Sequence, residues 1–351
     1  MTWNGGASQT ICKSLKIDQG KSWKTRIRVQ APLWMVRSKQ PVILIDWSDL
    51  KSDRSWHLLR AAIPVGGRSL PILDMVFPNG QQGSPKAEKR FLQRLAQVLP
   101  DDVRPILVTD AGFRGPWFRA VEAMGWQWLG RLRNTTYLKP VEVPDEPGEW
   151  VTCKAMYALA ARKPRDFGSM NIARSNPLTA RVVLHAKPPK GRKHRNRQGL
   201  LARNSNSRKN AQRESEPWLL VASPSLALSA RQLITLYGRR MQIELSFRDL
   251  KSHRYGQGFE DSLTRKGARI EVLLLLSAMA AFASWLVGMA CEASGIDAWL
   301  APFRSRRRLY SVMRLGREAL VRRWSSTRLN ELIDQLRHPS SQLLDQLGVP
   351  A

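Results

Sequence analysis

Two short β-branched runs that each lead to an aspartate constrain the fold of this chain more than any other feature. Residues 41–46 read Pro-Val-Ile-Leu-Ile-Asp, and residues 105–110 read Pro-Ile-Leu-Val-Thr-Asp. Short apolar runs of this kind are typical of buried strands, whereas helices need longer periodic stretches. We therefore predict two buried strands, with Asp46 and Asp110 at or near their carboxyl ends.

The segments around these two runs predict a mixed sheet. Short or alternating apolar stretches predict further strands, and apolar residues at helical spacing predict two helices. Gly66-Gly67 joins two of the strands and suits a tight hairpin. The predicted order is strand 41–46, strand 57–65, strand 69–77, helix 85–99, strand 105–110, helix 116–124 and strand 126–132. This order is similar to the ribonuclease H-like arrangement, an α/β fold in which a mixed sheet carries acids at strand ends.

The predicted secondary structure and the charge vary along the chain and divide it into five regions. We predict an N-terminal segment 1–38, a first part of the core 39–133, a β-rich insertion 134–223, a second part of the core 224–300 and a basic helical region 301–351. Within the insertion, the loop 187–213 carries ten Lys or Arg and no Asp or Glu. A loop of this composition is expected to be disordered without DNA and to become ordered on phosphates. Residues 304–308 form a second basic cluster.

The charge of the chain points to a polyanionic partner. The 57 Lys and Arg outnumber the 28 Asp and Glu, which gives a formal net charge of +29 at pH 7. Nucleic acid is the commonest partner of such a surface, and an anionic membrane is the second. The three cysteines are far apart, which argues against a disulfide framework or a structural zinc site and fits a reducing cytoplasm.

Residues 272–291 form an uncharged run that is long enough to span a bilayer. Two interpretations are open: a central core helix of a soluble protein, or the anchor of a basic membrane protein. The run stands alone in an otherwise polar chain, which favours the core helix. We therefore expect no membrane partner.

Polar residues recur along one side of a helix that we predict over residues 230–251. They are Tyr237, Arg240, Glu244 and Lys251, with Arg248 close by. At about 100° per residue they share one stripe of a continuous α-helix. One interpretation is a surface face held by salt bridges. The base-rich context favours the other, a phosphate-binding face on which Glu244 stays available to a metal ion.

Carboxylates that converge from separate elements suit a magnesium site. Mg²⁺ prefers hard oxygen ligands, and a pair of such ions can assist both the attacking and the leaving oxygen of a phosphodiester. Asp46 and Asp110 stand where such a site needs them, with Asp49 close enough to Asp46 to be a rival. Taken alone, each aspartate would more often be a turn or cap residue.

Together these residues resemble the three catalytic blocks of a DDE transposase. The blocks are residues 45–48, 108–113 and 241–252. Among DDE transposases the chain resembles the insertion-sequence-four family of bacterial cut-and-paste enzymes, which is recognised by Tyr, two residues, Arg, three residues, Glu, six residues and Lys. This spacing is matched without a gap by Tyr237, Arg240, Glu244 and Lys251.

The resemblance implies an α/β fold with a ribonuclease H-like mixed sheet, flanking helices, a β-rich insertion and a helical C-terminal part. It implies that Asp46, Asp110 and Glu244 are catalytic and bind two Mg²⁺ or Mn²⁺ ions. The implied contacts to double-stranded DNA at the transposon end come from Tyr237, Arg240, Arg248 and Lys251. Trp218 is a candidate to stack on a flipped base, although a buried strand tryptophan is the other interpretation.

The implied reaction is metal-dependent strand cleavage at the terminal inverted repeats, followed by a hairpin intermediate and strand transfer into target DNA. A homodimer is expected in the synaptic complex, in the bacterial cytoplasm and on the nucleoid when bound to DNA. The alternative is a catalytically silent DNA-binding protein derived from a truncated transposase. That alternative arises because only 45 residues precede Asp46, where the family usually carries a helical DNA-binding segment.

Overall fold

The computed structural model of the protein describes residues 38–133, 136–141, 148–187, 200, 215–253, 256–300, 310–322 and 325–338. Residues 1–37 of the predicted N-terminal segment, most of the basic loop 187–213 and the basic cluster 304–308 lie outside these described residues.

The described strands form one ten-stranded mixed sheet. They are β1 (Val42–Asp49), β2 (Trp56–Pro64), β3 (Ser69–Pro78), β4 (Ile106–Val108), β5 (Gln127–Leu132), β6 (Tyr137–Pro140), β7 (Val151–Thr152), β8 (Arg165–Ile172), β9 (Leu178–His185) and β10 (Trp218–Ala222). Their order across the sheet is β3-β2-β1-β4-β5-β10-β9-β8-β6-β7. β1, β4 and β5 are parallel neighbours, so their carboxyl ends meet at one edge of the sheet.

Helices flank this sheet and make up the C-terminal part of the described chain. They are α1 (Pro85–Val98), α2 (Gly115–Glu122), α3 (Cys153–Met156), α4 (Ala230–Gly238), α5 (Met241–Lys251), α6 (Gly267–Ala293), α7 (Asp297–Leu300), α8 (Val312–Val321) and α9 (Ser326–Arg337). Short 3₁₀ turns cover Tyr157–Leu159 and Phe259–Asp261.

All the elements predicted before residue 133 are present, with bounds that shift by three residues or fewer. The Gly66-Gly67 hairpin between β2 and β3 is confirmed. Both glycines have positive φ, +70° and +96°, and the Val65 N–H donates to the Arg68 carbonyl at 2.8 Å. A two-residue turn of this kind needs positive φ at both central positions, which glycine adopts without steric cost.

The prediction that a strand ends at Asp46 is wrong by three residues. β1 runs on to Asp49, because its pairing with β2 continues as far as Asp49 opposite His57. Its pairing with β4 stops earlier, at Leu44 opposite Val108. Asp46 therefore lies inside β1, in the stretch where β1 extends beyond β4.

The two faces of the sheet carry separate apolar layers, as the two-residue period of a strand requires. Ile43 and Ile45 pack into the layer that holds α1 and α2. Leu44 packs into the opposite layer, which holds α4, α5 and the start of α6. Asp46 shares the parity of Leu44, so its side chain lies on the face covered by α4 and α5.

The single helix predicted over residues 230–251 is divided into α4 and α5. Arg239 and Arg240 keep helical dihedral angles, but the local hydrogen bonds tighten to i→i−3, from Arg239 N–H to the Leu236 carbonyl and from Arg240 N–H to the Tyr237 carbonyl. Gly238, a poor helix former, precedes the change. The division lets α4 pack near β5 and β9 while α5 covers β1, β2 and β3.

The apolar run forms α6, whose C-terminal half packs closely on α8. A Cβ added at Gly316 would lie 1.7 Å from the Ser284 carbonyl oxygen, and one at Gly288 would lie 1.9 Å from that of Val312. Glycine at both positions lets the two backbones approach. Within the described residues α6 is long and apolar enough to cross a membrane, and 33% of its most apolar window is buried.

Candidate active site

Asp46 and Asp110 come together because β1 and β4 are parallel and in register. Leu44 and Val108 are the last paired residues, and each aspartate follows two positions later. The Asp110 carboxylate accepts the Gly112 N–H at 2.8 Å. A Cβ on Gly112 would lie 3.0 Å from that same oxygen, so the Asp-Ala-Gly sequence suits the turn that holds Asp110.

Asp46 is a buried acid in a field of other acids. It is 8% exposed, and its Oδ1 accepts the Trp47 N–H at 2.9 Å. Burial raises the pKa of Asp46 to about 8, with further increases from the negative charges of Asp110 and Glu244 and an opposing decrease from Arg240. The effects of Asp110 and Glu244 mean that the three predicted carboxylates share one electrostatic environment.

Arg240 lies between two of these acids. Its Nη2 is 2.5 Å from Glu244 Oε1, and its Nη1 is 3.6 Å from Asp46 Oδ2. The side chain is 12% exposed, and its Nε and Nη1 make no hydrogen bond with the described residues. Burial disfavours the charge, but Tyr237, Glu244, Asp46 and Asp110 together raise the pKa of Arg240 above its ordinary value. Arg240 is therefore a desolvated cation held by carboxylates.

Tyr237 is buried beneath this cation. It is 4% exposed and packs edge-on against Trp218, with ring centroids 5.0 Å apart. The Arg240 guanidinium lies 5.8 Å from the Tyr237 ring centroid. Trp218 is half-buried, with Lys187 Nζ 4.8 Å from its ring centroid. Trp218, Tyr237 and Arg240 thus pack one against the next. The residues of the sequence motif do not form the predicted single stripe on a continuous helix, because that helix is divided.

Lys251 and Arg248 lie further along α5. Lys251 is half-buried, and burial lowers its pKa against the opposing charges of Glu260, Asp49 and Asp46. Arg248 is exposed. The site thus joins Asp46, Asp110, Glu244, Arg240 and Tyr237, with Lys251 at its margin and Arg248 on the open surface of α5.

Asp49, the possible rival of Asp46, is engaged elsewhere. Its Oδ1 lies 2.9 Å from His57 Nδ1, and its Oδ2 lies 3.4 Å from Arg54 Nε. Its position in β1 has the parity opposite to that of Asp46. The geometry therefore favours Asp46 as the acid that faces α5.

A family model described as Transposase DDE domain matches residues 37–283. The match covers more than half of the chain and includes β1, β4 and α5, the elements that carry the three acids. This chain belongs to the DDE transposase domain family. No curated protein matches it by sequence.

The predicted fold class is confirmed for this DDE transposase. Its mixed sheet with flanking helices, the additional β strands after β5 and the helical C-terminal part fit the ribonuclease H-like architecture. Membership of the family also supports a transposition-type function, and transposases act on DNA.

DDE transposase domains are generally dependent on divalent metal ions. The donor set is chemically suitable, because carboxylate oxygens are the hard ligands that Mg²⁺ prefers. Burial is the largest cause of the raised pKa of Asp46, and the charges of Asp110 and Glu244 add to it; a cation bound here would oppose that part of the rise which comes from the two neighbouring acids. In the described part of the chain no three His, Cys, Asp or Glu side chains are already grouped closely enough to hold a metal ion. Arg240, between Asp46 and Glu244, provides the local positive charge.

Two arginines at the end of β5 belong to the same edge of the sheet and were missed by sequence reasoning. Arg131 is 8% exposed, and its Nη2 donates to the Pro217 carbonyl at 3.0 Å. Arg133 Nε lies 3.1 Å from Glu216 Oε2. Burial and the charge of Arg133 lower the pKa of Arg131. The available signal was an Arg-Leu-Arg alternation at the end of a predicted buried strand.

Proposed function

We propose that this DDE transposase cleaves DNA at the ends of a mobile element and transfers the freed 3′ ends into target DNA by a cut-and-paste route with a hairpin intermediate. The observation that carries the proposal is the placement of three acids around Arg240 at one edge of the sheet, from which they would draw together on a bound metal ion. Asp46 and Asp110 follow the last paired residues of adjacent parallel strands, and Glu244 is tied to Asp46 through Arg240. Asp46, Asp110 and Glu244 are the proposed catalytic residues.

The same three carboxylates would hold Mg²⁺ or Mn²⁺, and two bound ions would supply positive charge to the attacking and leaving oxygens. Arg240 would provide a guanidinium that moves from carboxylate to phosphate when DNA enters. Arginine suits this exchange because its planar fork matches both groups. Tyr237 is buried and would position Arg240 rather than attack phosphorus.

Other predicted contacts fall around this centre. Lys251 and Arg248 would bind phosphates along α5, and Trp218 offers a half-buried ring for stacking. The spacing of Tyr237, Arg240, Glu244 and Lys251 supports assignment to the insertion-sequence-four group. Synapsis of two DNA ends calls for a homodimer on the terminal inverted repeats, and we propose that this assembly forms on DNA in the bacterial cytoplasm.

The test is a strand-cleavage assay with Mg²⁺ on duplex DNA that carries the inverted repeats flanking the gene. We expect the protein to cut at the repeat boundary. We expect Asp46→Ala and Glu244→Ala each to abolish cutting while DNA retention in a mobility-shift assay is preserved. Asp101→Ala, which alters an exposed turn acid, is the matched control and should cut normally.

Two outcomes would contradict the proposal. Retention of the repeats without any cutting by the unmodified protein would favour the catalytically silent DNA-binding alternative. A covalent protein–DNA adduct through Tyr237, stable to denaturation, would replace the carboxylate mechanism with a tyrosine nucleophile.

A further inference from the structure

A groove leads from Asp110 away from the other two acids. It has a volume of about 1040 Å³ and runs past the carboxyl end of β5 towards the turn between β8 and β9. One wall is the start of α2, and the other is the turn around Arg174. The cations that line it are Arg114, Arg119, Arg131, Arg133 and Arg174. Among the described residues that line it, Asp110 is the one acid, so the groove is strongly positive beyond the active site.

These arginines divide into two kinds. Arg131 is bound to backbone carbonyls, and Arg119 donates to three oxygens of the β8–β9 turn. Arg114 and Arg174 are exposed, and neither forms an ion pair or a side-chain hydrogen bond with the described residues. Exposed cations on opposite walls of a groove are available to an anionic ligand.

The turn that carries Arg174 is held against α2 by hydrogen bonds. Arg119 Nη2 donates to the Asn176 carbonyl at 2.7 Å and to the Pro177 carbonyl at 2.7 Å, which ties the turn to α2. Ala173 has a φ of +66°, a left-handed conformation that is strained for alanine, and its N–H donates to the Tyr137 carbonyl at 3.0 Å. A strained residue held by its surroundings beside a candidate site points to a positioned side chain. Arg174 is therefore presented from a fixed point on the wall.

We infer that this groove binds the phosphate backbone of a single DNA strand that continues from the scissile phosphate at Asp110, with Arg114 and Arg174 contacting phosphates from the two walls. The inference rests on the proposed function, which places the scissile phosphate at Asp110. The groove is open and elongated, as a strand requires. Half-buried Tyr137 adds an aromatic surface to its lining. A positive channel with an aromatic platform is the usual arrangement for single-stranded nucleic acid.

The test measures binding without cleavage. The probes are a fluorescein-labelled DNA duplex with a single-stranded 3′ extension and the blunt duplex of the same sequence, in fluorescence anisotropy titrations over a range of salt concentrations. For R114Q/R174Q we expect a roughly ten-fold loss of affinity for the extended duplex near 0.1 M salt and little change for the blunt duplex. For the extended duplex, the slope of the logarithm of the binding constant against the logarithm of the salt concentration should become shallower by about 1.4. Each lost contact to a single-strand phosphate removes about 0.7 from that slope.

Two matched variants separate position from charge. K89Q/R90Q removes two exposed cations of α1 and should leave binding of both probes unchanged. R114K/R174K keeps the charges and should retain most of the salt dependence. Equal losses for R114Q/R174Q and K89Q/R90Q, or equal losses on both probes, would overturn the assignment of the groove. R114Q and R174Q alone should each cause about half of the loss of binding free energy that the double variant shows for the extended duplex. Circular dichroism checks that all variants are folded.

The result is distinguishable from failure of the proposed function. If no form of the protein cuts the inverted repeats but R114Q/R174Q selectively loses the extended duplex, the catalytic proposal fails and the groove assignment stands. If the unmodified protein cuts and R114Q/R174Q binds the extended duplex with unchanged affinity and salt dependence, the groove assignment alone fails.

Discussion

The acidic centre and the basic groove lie side by side at one edge of the sheet, yet they use their cations differently. In the acidic centre Arg240 is 12% exposed and held between Asp46 and Glu244. In the groove Arg114 and Arg174 are exposed and have no acidic partner in the described part of the chain. In the absence of DNA a buried cation of this kind balances the local carboxylates and supports the fold, and it would reach phosphate only by leaving them, whereas an exposed unpaired cation is available to a polyanion from the start.

The largest expected effect comes from the acid that belongs to both regions. Asp110→Asn should reduce DNA cleavage by roughly 10³-fold or more, because a metal-binding carboxylate supports several kcal/mol of transition-state stabilisation. R114Q/R174Q should weaken binding of the extended duplex without such a loss of the cleavage rate once the protein is saturating. Single-turnover cleavage rates at saturating protein measure the difference, with Asp101→Asn as the control. Equal cleavage rates for Asp110→Asn and the unmodified protein would contradict a catalytic role for Asp110, and with it the distinction between a catalytic acidic centre and a DNA-binding groove.

The second prediction concerns folding stability. Arg240→Met should lower the free energy of unfolding by about 3 kcal/mol, because it removes the cation beside buried Asp46, whereas the Glu244 side chain is 41% exposed and remains solvated. Arg174→Met should change it by no more than about 0.5 kcal/mol, as is usual for an exposed residue. Urea denaturation monitored by circular dichroism gives both values. Similar losses for the two variants would mean that Arg240 is not a structural cation.

A third prediction uses Glu88, a buried acid on α1 that has no ion pair with the described residues. Burial raises its pKa from 4.5 to about 7, with a smaller opposing effect from Trp47. As the pH rises, the Glu88 carboxyl loses its proton at a lower pH in the unfolded chain than in the folded protein. Glu88 should therefore lower the stability of the fold progressively between about pH 4.5 and about pH 7. Glu88→Gln should therefore gain stability relative to the unmodified protein on going from about pH 5 to about pH 8, by an amount on the order of 2–3 kcal/mol.

The control for that prediction is an acid with a partner. Asp166 pairs with Arg181 at 2.5 Å, and the pKa of Asp166 is lowered by Arg181 and by the Gly168 N–H despite partial burial. A lowered pKa contributes stability that is lost only on acidification through the carboxylate range. The stability difference between Asp166→Asn and the unmodified protein should therefore be flat from about pH 5 to about pH 8. A flat difference for Glu88→Gln as well would show that Glu88 is solvated.

The smallest expected effect is at the wall of the groove. Ala173→Gly has two opposing effects on the free energy of unfolding. It removes the strain of a left-handed alanine, φ +66°, which is the first term, and it increases the conformational entropy of the unfolded chain, which is the second. The two terms should cancel to within about 0.5 kcal/mol. Ala160→Gly, at an ordinary φ of −70°, lacks the first term and should cost about 0.5–1 kcal/mol. Chemical denaturation compares the two. Equal losses would mean that no strain is stored beside Arg174.

The elements that sequence patterns predicted well are those whose signals are local. β2, β3 and their Gly66-Gly67 turn follow from strand alternation and from glycine's access to positive φ. The division between α4 and α5 was missed because residues 239 and 240 keep helical dihedral angles and the apolar spacing continues. The need for α4 and α5 to cover different strands determines the division, and no local pattern encodes that need.

For the candidate site, the sequence by itself supplied the residue types and their spacing: an aspartate near the end of each of two buried runs, and the Tyr237, Arg240, Glu244 and Lys251 series. These features are local because a strand has a two-residue period and a helix a 3.6-residue period. The tertiary structure decided which of these residues meet. Parallel pairing of β1 with β4 brings Asp46 to Asp110, and the packing of α5 on β1 places Arg240 between Asp46 and Glu244. The groove likewise draws on residues 110–119, 131–137 and 172–176, segments that only long-range strand pairing and helix packing bring together.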